Sequence, residues 1–193
     1  MLEAVLQEWG GKSDLWIFAY ASLIWRPDFE FSEERMASIY GYHRALKMWS
    51  RLNRGTPESP GLVFGLLHGG SCRGVAFRIP KARVTTTLPT LWDREMPNGV
   101  YDPKWLSCHT SKNGVLSAVR ALAFTLSKRS PNHTGVLSEE TYRQIFSDSC
   151  GRFGTTREYA QLTYDKLRTL GIEDQALGKL LRWAGSTDLQ AER

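Results

Sequence analysis

The stretch Leu15-Trp16-Ile17-Phe18-Ala19-Tyr20-Ala21-Ser22-Leu23-Ile24-Trp25 decides how the rest of the chain is read. Apolar residues run almost unbroken over positions 15–21, the pattern of a strand covered on both faces. The run passes through Ser22 and stops at Arg26-Pro27-Asp28, where Pro27 lacks the N–H that a sheet ladder needs. Small residues at positions 19, 21 and 22 leave room for another molecule to approach the backbone N–H groups. A core strand followed by a turn is the plainest reading, and a glutamate further along the chain changes the weighing.

The chain around this strand is of ordinary globular make-up. Its 193 residues suit a single domain, residues 1–193 with 1–14 as an N-terminal extension, because one core rarely outgrows about 250–300 residues. Hydrophobic residues make up 41% and charged residues 23%, and no run approaches the roughly 18 apolar residues of a membrane span. Residues 1–14 carry Glu3, Glu8 and Asp14 and lack the basic-then-apolar pattern of a secretory signal. The three cysteines, Cys72, Cys108 and Cys150, form no C-x-x-C, and an odd count argues against a disulfide framework. A reduced, cytoplasmic setting is expected. The net charge of +5 is spread thinly, with no basic cluster beside aromatics. It is read as solubility and modest steering of small anions, and neither nucleic acid nor membrane is expected as a partner. Oligomeric state is not legible.

In chain order, Leu2, Val5, Leu6 and Trp9 fall at helical spacing before Gly10-Gly11. After the central strand and an acidic, aromatic loop, residues 37–50 suit a long strand. Residues 51–61 hold Gly55, Pro57, Pro60 and Gly61 and are expected to be a loop. Strands at 62–67 and 72–79 flank His68-Gly69-Gly70-Ser71, a hairpin signal. Residues 115–126 alternate as another strand. The last third is helical. Ser138 caps one helix, Thr155 with Glu158 forms a capping box for the next, and Asp174 opens the last. Strands first and helices later predict an α+β fold, a compact barrel or rolled sheet surrounded by helices.

Between the hairpin signal and the strand at 115 lies a helix with Pro89 in its first turn. Leu88, Leu91, Trp92 and Glu95 stand at i, i+3, i+4 and i+7 on one face, while Asp93 and Arg94 point the other way. Glu95 thus shares an apolar stripe, where an unpartnered carboxylate is costly. Two readings follow: a fringe glutamate that reaches solvent or an arginine, or a desolvated acid with a raised pKa that moves protons near neutral pH.

The stretch from Trp16 to Trp25 resembles the signature of ChaC-like γ-glutamylcyclotransferases, which usually reads F-G-Y-G-S-L-I-W. Further blocks agree in order and spacing. They are Gly41-Tyr42-His43-Arg44, Arg54-Gly55-Thr56-Pro57-Glu58-Ser59-Pro60-Gly61, Cys72-Arg73-Gly74-Val75-Ala76-Phe77-Arg78, Arg94-Glu95-Met96, Tyr101-Asp102-Pro103-Lys104-Trp105 and Gly151-Arg152-Phe153-Gly154-Thr155-Thr156-Arg157-Glu158-Tyr159. The match spans residues 15–184. The resemblance implies a compact γ-glutamylcyclotransferase-like barrel surrounded by helices. It also implies cleavage of a γ-glutamyl compound, glutathione in most such proteins, to 5-oxoproline and Cys-Gly.

By the same resemblance Glu95 is the general base and then the general acid. Ala19, Tyr20, Ala21, Ser22, Leu23 and Ile24 line the substrate, with backbone N–H groups for the oxyanion, and Tyr159 lies near it. No metal or organic cofactor is implied. The four histidines, His43, His68, His109 and His133, form no convincing ligand set. Arg54 is read as an exposed loop arginine rather than a carboxylate partner, and Cys108-His109 is not a dyad by adjacency alone. The chain departs from the family pattern at Ala19 and Ala21, where glycine is usual, and at Thr156, where asparagine is frequent. If either alanine position required positive φ, the side chain would cost about 1–2 kcal/mol. Those alanines keep open a rival reading, a γ-glutamyl-binding or regulatory protein that has the pocket without turnover.

Overall fold

The computed structural model describes residues 1–97, 99–112 and 114–185; residues 186–193 of the expected single domain lie outside the described residues. The elements are α1 (Leu2–Trp9), β1 (Leu15–Ala19), α2 (Ser22–Trp25), β2 (Glu33–Ser50), β3 (Gly61–Ile79), α3 (Lys81–Glu95), β4 (Asp102–Lys112), β5 (Val115–Thr125), α4 (Glu139–Asp148), β6 (Cys150–Gly151), β7 (Gly154–Thr155), α5 (Thr156–Thr169) and α6 (Gln175–Gly185). The first five strands close into a barrel in the order β1-β3-β2-β4-β5, and β6 pairs with β7. This is the expected α+β architecture.

β1 pairs antiparallel with β3, Leu15 opposite Ile79 through Ala19 opposite Val75, and parallel with β5, Trp16 opposite Ala121. With both edges paired it is an interior strand, and Leu15, Ile17, Phe18 and Ala19 are fully buried. Contacts divide the chain into two compact units. The first is Met1–His43 with Leu66–Ser127, which contains β1, α1–α3, β4 and β5; the second is Arg44–Gly65 with the described part of Lys128–Arg193, which contains α4–α6. β2 and β3 contribute residues to both.

Three sequence expectations need correction, and one strand escaped the sequence reading. The opening apolar run is not one strand: β1 ends at Ala19, and Ser22–Trp25 winds into a single helical turn. Residues 61–79 are one continuous strand rather than a hairpin. Gly69 (φ +106°) and Gly70 (φ +74°) bend it without reversing it, and His43 of β2 donates from Nδ1 to the Gly69 carbonyl at 2.7 Å. Left-handed glycines serve a bulge as well as a tight turn, so the signal was ambiguous.

α3 starts at Lys81, which places Pro89 inside it rather than in its first turn. An interior proline costs roughly 3 kcal/mol, offset here by burial of Val84, Leu88 and Leu91. The run Thr85-Thr86-Thr87, β-branched and weakly helix-forming, hid the earlier turns. β4 had no pattern signal because only Cys108 and Thr110 of its eleven residues are buried; it is held by its full antiparallel ladder with β5.

The helices of the second unit begin where the caps predict. Ser138 Oγ accepts the Thr141 N–H, Thr155 and Glu158 complete a reciprocal box, and Asp174 Oδ1 accepts the Leu177 N–H at 2.9 Å.

Candidate active site

The turn after β1 is built from both directions. Beneath it, Gly74 of β3 lets the Ala19 carbonyl come so close that an added Cβ would sit 2.2 Å from that oxygen. The buried Tyr20 hydroxyl donates to the Phe124 carbonyl at 2.9 Å, fixing the start of the turn to β5. Leu23 and Ile24 are buried and anchor its far side. Ala21 stands at φ −142°, ψ −122°, and neither Ala19 nor Ala21 has positive φ. The penalty that a left-handed geometry would impose on alanine therefore does not arise at either position.

Within the turn, Ile24 N–H donates to the Ala21 carbonyl at 2.9 Å and Arg26 N–H to the Ser22 carbonyl at 2.8 Å. The first N–H groups of a helical turn have no acceptor inside it, and among the described residues the Ser22 and Leu23 N–H groups have none elsewhere. The Ser22 side chain is half-buried. Two adjacent donors and a hydroxyl are thus left in one short segment, an arrangement able to receive an anionic oxygen.

Glu95 is the last residue of α3, and its side chain is 16% exposed. Burial pushes its carboxyl above the ordinary glutamate range, while the Arg94 and Arg26 guanidinium groups pull against the shift. Arg94 Nε lies 3.2 Å from Glu95 Oε1. The same arginine donates from Nη1 to the Arg26 carbonyl at 2.6 Å, the Pro27 carbonyl at 3.2 Å and the Asp28 carboxylate at 3.0 Å. Those acceptors directly follow α2, so Arg94 ties the end of α3 to the end of the turn and brings Glu95 beside it. Trp92 sets the approach of α3, its ring edge-on to Phe124 with centroids 5.9 Å apart.

Sequence periodicity pointed Arg94 away from Glu95, yet its side chain folds back to it. Arg94 and Arg26 are the residues that pattern reading missed. Their legible signal was the basic residue next to Glu95 and the Arg-Pro-Asp that ends the turn. Asp93 is exposed, as its place on the helix predicts.

Tyr159 belongs to the second unit. It is buried, its hydroxyl accepts the Phe64 N–H at 3.4 Å, and the Arg54 guanidinium lies over its ring at 4.9 Å. Arg54 is not the exposed loop residue expected: only 7% of it is accessible, and its Nη1 donates to the Phe153 carbonyl. Cys108 and His109 do not act together. The Cys108 thiol is buried and pushed up to about 12, chiefly by desolvation, which leaves it unreactive, while the His109 ring packs edge-on against Tyr40. Among the described residues no three His, Cys, Asp or Glu side chains converge as a metal site, and none of the described helices is long and apolar enough to cross a membrane.

The chain matches the family model for ChaC-like protein over residues 15–186. It is 32% identical over 170 residues to the glutathione-specific γ-glutamylcyclotransferase of Escherichia coli (strain K12), covering 88% of this chain and 72% of that protein. It is also 32% identical over 168 residues to human glutathione-specific γ-glutamylcyclotransferase 1, covering 86% and 75%. Among solved structures, a yeast γ-glutamyl cyclotransferase specific to glutathione superposes with a TM-score of 0.81 at 20% identity, over 91% of this chain and 97% of that one. With a family model matched over nearly the whole chain and relatives at 32% identity, this chain belongs to the ChaC-like family.

Proposed function

We propose that this protein is a γ-glutamylcyclotransferase that converts glutathione to 5-oxoproline and Cys-Gly, with Glu95 as the proton carrier. The observation that carries the reading is a half-buried glutamate with a raised carboxyl pKa, tethered through Arg94 beside a turn with unused N–H donors. The relatives' shared specificity supplies the substrate.

The reaction asks little of the protein because the nucleophile is in the substrate. The α-amine nitrogen attacks the γ-carbonyl carbon, a five-membered ring closes, and the bond from that carbon to the cysteine nitrogen breaks. Ring closure of this kind starts from a high effective molarity. The Glu95 carboxylate takes a proton from the attacking nitrogen and returns one to the departing nitrogen, so no net proton is gained or lost in the transfer. The Ser22 and Leu23 N–H groups face the oxygen that becomes negative in the tetrahedral intermediate, with Ala19, Tyr20, Ala21 and Ile24 shaping the backbone around it. Tyr159 remains part of the proposed substrate surroundings by family resemblance. Negative φ at Ala19 and Ala21 removes the left-handed penalty on which the silent-binding reading relied. A small γ-glutamyl compound in a reducing, cytoplasmic setting is the proposed context. Incubation with glutathione, followed by chromatography for 5-oxoproline and Cys-Gly, tests the reading; equimolar appearance of both supports it, and intact glutathione after prolonged incubation rejects it.

A further inference from the structure

Among the described residues Asp28 alone, glycines aside, has a positive φ, +51°, and it stands at the edge of the proposed site. Aspartate enters the left-handed region more readily than most residues, and such strain persists where the surroundings fix it. Here they do. Asp28 Oδ2 lies 2.6 Å from Arg26 Nε and 3.0 Å from Arg94 Nη1, so one carboxylate oxygen receives both guanidinium groups. The segment Arg26-Pro27-Asp28 turns so that two of its carbonyls and its carboxylate converge on Arg94.

The same two arginines are the charged groups that act on Glu95. Arg94, from α3, holds its Nε 3.2 Å from Glu95 Oε1, and Arg26 acts from the end of α2. Asp93, next but one before Glu95 in α3, is exposed. Both guanidinium groups favour an ionised Glu95, whereas the proposed chemistry needs a carboxylate basic enough to take a proton. Asp28 resolves the conflict. Its negative charge offsets theirs, and its oxygen holds the Nη1 end of the Arg94 fork toward the turn while Nε meets Glu95. The Arg26 and Asp28 side chains are 45% and 47% exposed, so water screens part of this effect and keeps it modest.

We infer that Asp28 is a positioning residue for Glu95, the counter-charge that shares the Arg26 and Arg94 guanidinium groups and so leaves the Glu95 carboxylate able to carry protons, an inference that rests on the reading of Glu95 as proton carrier. Asp28 acts through the two arginines.

Carbon-13 NMR titration of the Glu95 carboxyl in the full chain tests the inference without any substrate, the resonance being assigned by its loss in Glu95→Gln. Asp28→Asn keeps the shape, the tolerance of positive φ and an acceptor oxygen, and removes the charge. The Glu95 midpoint is expected to fall by roughly half a pH unit relative to the unaltered chain, because the two guanidinium groups then favour the ionised form unopposed. Asp28→Gly, which relieves the positive φ and removes the carboxylate altogether, should move it the same way. Added salt should shrink the displacement. In glutathione turnover the acidic limb of kcat/KM should move in the same direction, a change that a merely structural role would not produce. Should Asp28→Asn not fold, Asp28→Gly decides. An unmoved or raised midpoint in the deciding variant, or loss of the fold in both, overturns the inference. Absence of glutathione turnover in the unaltered chain would instead reject the proposed function, since the titration needs no substrate.

Discussion

Two regions of this molecule keep buried or half-buried polar groups, and they treat them in opposite ways. In the second unit the loop at 51–61 closes on Arg54. A Cβ on Gly55 would sit 2.1 Å from the Gly61 nitrogen, one on Gly61 2.0 Å from the Arg54 oxygen, and one on Gly151 2.5 Å from the Gly55 nitrogen. Beside them the fully buried Thr156 hydroxyl accepts the Leu62 N–H at 2.9 Å and the Ser149 hydroxyl at 2.8 Å, and donates to the Arg54 carbonyl at 3.5 Å. Here the threonine that replaces the family's frequent asparagine has its own complete set of partners. In the first unit the turn at 20–24 leaves two N–H donors unused among the described residues, and Glu95 is paired with Arg94, whose Nη1 serves the Arg26 and Pro27 carbonyls and the Asp28 carboxylate. Groups that complete one another hold the fold; groups left incomplete beside the proposed proton carrier are the ones offered to a substrate.

That contrast can be broken at either end. The largest effect on the fold is expected from Gly61→Ala, because the added methyl meets backbone rather than a movable side chain. It should cost about 3 kcal/mol or more, measured by urea unfolding, at the upper end of what overpacking does. The fraction that remains folded should turn over glutathione normally. Near-wild-type stability would show that the loop yields, and that the close packing is not what holds it. The smallest effect is expected from Ala21→Gly. Alanine carries no left-handed penalty at this position, so the variant should lose up to about 1 kcal/mol through backbone entropy while kcat/KM holds or rises. Loss of turnover in a folded Ala21→Gly protein would show that the methyl group itself shapes the substrate site.

Much of this was legible in the residues. Ser138, Thr155 with Glu158, and Asp174 marked helix starts because capping is a local bargain between neighbours in sequence. Glu95 was legible because helical periodicity placed it on the stripe of Leu88 and Leu91. What was hidden depended on partners far away in the chain. β4 is held by its ladder rather than by an apolar face, and Gly69-Gly70 bends a strand where the same letters can reverse one. Arg94 turns back to Glu95 because the carbonyls of Arg26 and Pro27 draw its guanidinium there, which no spacing rule within α3 contains. Arg54 is buried because distant carbonyls and the Tyr159 ring receive it.

The central claim is that Glu95 moves the protons. Its carboxyl is raised in the folded protein, so the fold favours the protonated form. That preference contributes stability at low pH, and it is lost as pH rises through the folded value; near neutrality the ionised carboxylate is a mild burden. Glu95→Gln keeps the shape and removes that burden, so its thermal stability at neutral pH should equal or slightly exceed that of the unaltered chain. General acid–base catalysis contributes about 10²–10⁴-fold, so the variant's kcat on glutathione should fall by at least about a hundredfold. Asp93→Asn, exposed on the same helix, should retain full activity. The deciding measurement is kcat for 5-oxoproline formation by Glu95→Gln alongside its unfolding curve. A hundredfold loss in a protein as stable as the original is the predicted result, and turnover at the original rate would contradict the account.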